Sequence, residues 1–284
     1  MSRKMILFIL LLLVLCLAIP PASCADRSRY LDVALSFLEE GNPFLLRYNE
    51  QTGAGIQARF ELGCPYFWGG RQLSAILRPA SPGSSSDYYK TDRKYLCGFD
   101  CVGFTRYINL KTGYAEHPPV SGMLNRSLYT ECIIRGAAKA HGDELASLLR
   151  IGDILAIQHP SGGFHSAMYC GTLSYYGYTE TTLPEELIPY INYPLLIHCT
   201  GSSDYHLRYK AWLEARGMDD IEPPYGGAIV TILDVPPEAA TASTPEAIGL
   251  SAPCFDLEGY HLQITDLAQE KQYRWIRWRG KPEE

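Results

Sequence analysis

The hydrophobic pattern of this chain changes period once, at Gly152, and that change restricts the folds open to it. Upstream, apolar residues recur at helical spacing. In residues 29–40, Tyr30, Val33, Ala34, Phe37 and Leu38 fall on one helical face, and Gly41-Asn-Pro closes the segment. Downstream, they alternate. Asp153-Ile-Leu-Ala-Ile-Gln158 and Phe164-His-Ser-Ala-Met-Tyr-Cys170 flank a turn, His159-Pro-Ser-Gly-Gly163, which is the pattern of an antiparallel hairpin. Leu195–Thr200 and Ala228–Val235 read as two more strands, with Leu262–Thr265 and Tyr273–Trp278 behind them and a short helix over Tyr209–Arg216. Helices first and mostly antiparallel strands afterwards predict an α+β fold. The stretch from Phe44 to Leu62 is less regular, with a second helix expected near 56–62. Residues 79–92, rich in Ser, Pro, Gly and Asp, read as a surface loop, and 171–193 as a Tyr- and Thr-rich excursion between strands.

The first 25 residues stand apart. Arg3 and Lys4 precede an unbroken apolar run from Met5 to Ile19, followed by Pro-Pro and the small residues Ala22, Ser23 and Ala25. A basic start, an apolar centre and a small-residue cleavage zone form a secretory signal, so export and cleavage after Ala25 are expected. Pro21-Ala-Ser-Cys24 partly matches a lipoprotein box, but proline stands where a large aliphatic is usual, so a lipid anchor at Cys24 is the lesser reading. Of the 25 basic residues, two lie in this segment; the remainder carries 23 against 31 acidic residues, a net charge of −8. That balance disfavours nucleic acid as a partner. Past the signal no apolar run is long enough to span a bilayer.

Seven cysteines follow Ala25, at 64, 97, 101, 132, 170, 199 and 254. In an oxidising compartment an odd count suggests one free thiol and up to three bridges. Cys97-x3-Cys101 is not a zinc-knuckle gap, and no second close pair follows, so no metal is expected. The stretch Tyr95-Leu-Cys-Gly-Phe-Asp-Cys-Val-Gly-Phe-Thr105 singles out Cys101. With Asp100 as cap, it lies in the first turn of a helix, where unpaired N–H groups and the helix dipole favour a thiolate. The plainer alternative is a buried or bridged structural cysteine. A thiol nucleophile also needs a base, and the base needs an orienting partner. His165 enters a strand among small residues, and His198 follows an aliphatic run. His117 sits beside two prolines, and His141, His159, His206 and His261 lie in polar or turn surroundings. A lone strand histidine is as often a satisfied core residue as a functional one.

Five blocks carry a resemblance in order: Pro65-Tyr-Phe-Trp-Gly-Gly70, Gly98-Phe-Asp-Cys-Val-Gly-Phe104, Gly152-Asp-Ile154, His165-Ser-Ala-Met-Tyr169 and His198. Together they resemble the NlpC/P60 cysteine peptidases, papain-like hydrolases of bacterial cell-wall peptides, over residues 60–200. The resemblance implies a papain-like core with the nucleophile on a helix N-terminus packed on a central antiparallel sheet. It makes Cys101 the nucleophile, His165 the general base and His198 the residue that orients the imidazole. Tyr66 falls near the oxyanion site with Trp68 and Asp100, and the Cys101 N–H would be a backbone donor. The chain departs from the pattern in the long gap between His165 and His198, which leaves Asp204 and His206 as substitutes for the third residue. This excursion and the 79–92 loop could both wall the cleft.

The resulting expectation is a signal segment over 1–25 and one catalytic domain over 26–284, with the family-like core at 60–235 and an extension at 236–284. The expected activity is endopeptidase cleavage of peptidoglycan stem peptides between D-glutamate and a diamino acid. The enzyme would act without cofactor, as a monomer. The alternatives are an N-acetylmuramoyl-L-alanine amidase or acyltransferase using the same Cys-His pair, and a catalytically silent wall-binding module. In the extension, Trp275 and Trp278 alternate with arginines, which fits sheet packing better than an exposed binding strand.

Overall fold

A computed structural model of the 284-residue chain describes residues 25–71, 77–79, 93–125, 129–234 and 254–278. The expected signal segment, the Cys24 anchor and all but the first residue of the 79–92 loop lie outside these residues.

The helical part of the chain comes first. Helix α1 spans Ala25–Leu35 and buries Tyr30, Leu31, Ala34 and Leu35; Phe37 and Leu38 follow it into the core. The second helix, α2, spans Pro43–Thr52, not the expected 56–62. Asn42 caps it, accepting the Phe44 N–H at 3.0 Å, with Pro43 in the first turn. Asn-Pro therefore opens a helix here, because proline's missing N–H costs nothing at that position. A short strand β1, Leu77–Pro79, pairs with β2, Lys94–Leu96. Helix α3 is Cys101–Lys111, and α4 is Val120–Leu124. Helix α5 is Gly142–Leu148.

The strands follow as the alternation predicts. They are β3 (Ile154–Gln158), β4 (Phe164–Gly171), β5 (Leu195–Gly201) and β7 (Gly226–Leu233), with helix α6 (Ser203–Glu214) and the two-residue β6 (Ile221–Glu222) between the last two. After them come β8 (Cys254–Leu257), β9 (Tyr260–Thr265) and β10 (Gln272–Ile276). Seven of these form one sheet in the order β10-β3-β4-β5-β7-β9-β8, antiparallel except for the β7–β9 pair. The fold is thus α+β with a central, mostly antiparallel sheet.

Period two decides which face each strand residue covers. In β3, Leu155 and Ile157 join the large core under α1, α2 and α3, while Ile154 and Ala156 meet Val120, Met123 and Leu124 of α4 on the other face. The C-terminal segment closes the β3 edge: Gln272–Ile276 pairs residue for residue with Gln158–Ile154. Trp275 and Trp278 are buried, as sheet packing requires. Beside them Arg277 reaches the fully buried Asp153 through Nε at 3.0 Å and Nη2 at 2.7 Å, and also bonds the Leu148 carbonyl.

The 171–193 excursion does not wall a cleft near His165. It leaves the C-terminal end of β4 and re-enters at the N-terminal end of β5, whereas His165 lies at the start of β4 and His198 in the middle of β5. Its Tyr176 packs edge-on against Phe44, and Tyr178 sits under the Arg47 guanidinium at 3.7 Å. The excursion is core material at the opposite end of the strands.

Candidate active site

Two of the singled-out blocks meet through their backbones. The Phe67 N–H donates to the Phe99 carbonyl at 2.9 Å, and the Asp100 N–H to the Gly70 carbonyl at 3.1 Å. Three glycines permit this approach. A Cβ on Gly98 would stand 1.6 Å from the Pro65 oxygen, one on Gly70 would stand 2.1 Å from the Gly98 oxygen, and one on Gly103 would stand 1.9 Å from the Gly70 oxygen. Each contact is to main chain, which cannot swing away. The Trp-Gly-Gly and Gly-Phe-Asp-Cys-Val-Gly blocks are therefore two halves of one interlock, and it sets where α3 begins.

That start is capped as expected. The Asp100 carboxylate accepts the Gly103 N–H at 2.5 Å, and Cys101 is the first helical residue. The carboxylate is committed to this cap. Burial raises its pKa against the opposing pull of the Gly103 N–H and Arg71. Tyr66 is half-buried and forms a parallel bridge with Phe99, two residues before Cys101, while Trp68 beyond it is exposed.

Cys101 is 8% exposed, and its sulfur lies 3.8 Å from the Phe164 carbonyl. The main-chain N–H of Ser166 also faces this sulfur. The thiol thus sits between the carbonyl before His165 and the amide after it. Among the described residues no hydrogen bond joins Cys101 Sγ to the His165 ring itself. The expected thiolate is not the resting form: burial, with the Asp100 charge second, pushes the thiol up to about 12. The N–H groups of Ser166, Val102 and Cys101 oppose this, and they are outweighed. A helix N-terminus lowers a thiol's pKa only where its neighbours leave the dipole unopposed, and here the capping carboxylate stands next to the sulfur.

His165 and His198 do meet. The pairing of Met168 with Ile197 puts both on one face of the sheet. Nε2 of His165 lies 2.8 Å from Nδ1 of His198, whose Nε2 lies 3.2 Å from the Thr231 hydroxyl. One proton assignment serves a base: His165 donates from Nε2 to His198, His198 donates from Nε2 to Thr231, and His165 Nδ1 keeps its lone pair. Burial holds His165 well below its usual value, with smaller contributions from His198 and His159, and burial brings His198 down to about 4. The substitutes considered for the third position lie elsewhere. His206 bonds the Pro224 carbonyl and stacks on Tyr225, and Asp204 lies in the first turn of α6.

Two histidines near the site carried no clear sequence signal. The His159 ring centroid is 6.2 Å from that of His165, and its Nδ1 pairs with Glu270 at 2.8 Å. His117, in a proline-flanked stretch, is fully buried and bonds Thr105 of α3 at 2.7 Å. Cys64, Cys101, Cys132, Cys170, Cys199 and Cys254 are unbridged, so the expected bridges among them do not form; Cys97 is buried. Among the described residues no group of three or more His, Cys, Asp or Glu side chains is placed to hold a metal ion, and no helix is long and apolar enough to cross a membrane. Comparison of the chain with protein families, curated proteins and solved structures gives no match.

Proposed function

We propose that the protein is an exported cysteine hydrolase with a papain-like NlpC/P60 core. In this reading it cleaves an amide of peptidoglycan stem peptides, at the bond between D-glutamate and a diamino acid. The observation that carries this reading is the His165–His198 hydrogen bond of 2.8 Å on the strands packed against the Cys101 helix. It orients one imidazole, whose chain neighbours Phe164 and Ser166 bracket the Cys101 thiol through their main chains, and an oriented base in reach of a thiol is what acyl transfer needs.

Because the resting thiol is neutral, attack is coupled to proton transfer. His165 Nδ1 takes the Cys101 proton as the sulfur adds to the substrate carbonyl, and the Cys101 N–H, with the Tyr66 side, faces the developing oxyanion. Protonated His165 then gives that proton to the leaving amine of the diamino acid. Water, deprotonated by His165, adds to the thioester, and the acid product leaves as the thiol is restored. Digestion of purified sacculi tests the reading. Wild-type protein should release fragments with a newly freed diamino-acid amine, and Cys101→Ala should release none while keeping its circular dichroism spectrum. A freed lactyl group in place of the amine would assign the amidase chemistry instead.

The low exposure of Cys101 and its raised pKa favour a second reading, a silent wall-binding module. Sacculus binding with no turnover by the wild-type protein would select it.

A further inference from the structure

Behind the candidate nucleophile runs a line of buried hydroxyls that ends on a histidine. The Ser166 hydroxyl donates to the Cys101 main-chain carbonyl at 2.9 Å, and its oxygen lies 2.9 Å from the Thr105 hydroxyl. The Thr105 oxygen lies 2.7 Å from His117 Nε2, and His117 Nδ1 lies 2.7 Å from the Pro118 carbonyl. Ser166, Thr105 and His117 are each 0% exposed. Buried polar groups with short, mutual partners specify one arrangement of the chains that carry them.

Counting protons fixes the direction of the line. A carbonyl only accepts, so His117 carries its hydrogen on Nδ1 and presents a lone pair at Nε2. Thr105 therefore donates to His117. The one Ser166 hydrogen is left with two acceptors at equal distance, the Thr105 oxygen and the Cys101 carbonyl. The Thr105 oxygen also lies 3.3 Å from the Cys101 and Val102 carbonyls, so six contacts share three hydrogens while His117 is neutral. Burial keeps it neutral, bringing it down to about 4, with a small push in the same direction from Arg106, the charged group that faces it and that is itself paired with Glu116.

The placement of Ser166 gives the line its consequence. It follows His165 directly in β4, its N–H faces the Cys101 sulfur, and its hydroxyl holds the Cys101 carbonyl. We propose that Ser166, Thr105 and His117 are positioning residues that lock the Cys101 peptide to the strand bearing His165, with His117 as the anchor at the far end. None of the three faces solvent, so they act through Cys101 and not on substrate. The inference rests on reading Cys101 and His165 as nucleophile and base.

Two readouts separate it from that reading: turnover of a defined muropeptide, and the rate of iodoacetamide alkylation of Cys101, followed by peptide mass mapping across pH. In Ser166→Ala and in the shape-conserving Thr105→Val, kcat should fall at least tenfold with KM unchanged. Alkylation of Cys101 at neutral pH should slow by a similar factor as the thiol loses its fixed approach to His165, and Ser166→Thr should recover most of both. Wild-type kcat and alkylation rates in both variants would overturn the relay even with the hydrolase reading intact. Slowed alkylation in a protein whose wild type cleaves nothing would uphold the relay and remove the hydrolase. Should Ser166→Ala fail to fold, Thr105→Val breaks the same line one link farther out, and its two rates decide in the same way.

Discussion

Cys101 and His165 rest as a neutral pair, and this sets how the site should respond to pH. In a thiolate–imidazolium pair, the acidic limb of activity reports the thiol. Here it reports His165, which burial holds well below 6.5. Peptide release, measured as kcat/KM on a soluble muropeptide, should therefore stay flat through pH 6.5 and fail only in more acidic buffer; a limb centred at 6.5 or above would contradict the resting state. Two other buried imidazoles govern stability. His117 and His198 titrate at about 4 in the fold and near 6.5 when unfolded. Across that interval the unfolded chain binds more protons, so their contribution is whole above pH 6.5 and declines as pH falls toward 4. The loss is on the order of 1–2 kcal/mol per group by pH 5. His159 has the opposite sign, since its bond to Glu270 raises it, but it is partly exposed and contributes less. Urea midpoints at pH 7 and pH 5 should therefore differ, the lower pH being the less stable.

At the scale of elements, the glycine interlock is the firmest feature. Gly98→Ala must push a methyl into the Pro65 carbonyl, and neither main chain can give way. The cost should sit at or above the usual overpacking range, about 3 kcal/mol. For a chain of this size that is a fall in Tm of roughly 6–12 °C. Gly122→Ala is the control: it lies in α4 with 3.7 Å to its nearest neighbour, so calorimetry should find it neutral or stabilising. Much of this was legible in the sequence. The alternation after Gly152 places β3, β4 and β5 within a residue or two, and Asp100 is recognisable as a cap because a carboxylate precedes a small-residue turn. What escaped was non-local. Asn42-Pro43 reads equally as a helix end or a helix start, and only burial of Phe44 and Leu45 decides. His117 looks like loop until Thr105 and Ser166 close around it. Likewise, the helix dipole favours a thiolate at Cys101, but burial of the sulfur beside its own cap outweighs it.

On the scale of the whole molecule, the C-terminal segment is structural. Strand β10 supplies the only covering of the β3 edge among the described residues, and Arg277 neutralises Asp153, which has no access to water. Removing the guanidinium takes the counter-charge from a buried carboxylate, although the Arg150 N–H still reaches it at 2.7 Å, and such a loss costs about 3–5 kcal/mol. Arg277→Ala should therefore unfold well before the wild type in thermal denaturation, whereas Asp153→Asn with Arg277→Met, which removes both charges, should recover part of the loss. Truncation before Gln272 should expose an unpaired edge and drive concentration-dependent aggregation, visible by light scattering.

The sheet has two distinct ends. His165, at the start of β4, and the candidate site built on it lie toward one, and the 171–193 excursion occupies the other, tipped by Thr179, Glu180, Thr181 and Thr182, all exposed. That tip is a ready attachment point. A dye or affinity tag carried there would leave the opposite end clear, so the protein could be tethered to a surface with the candidate site facing outward.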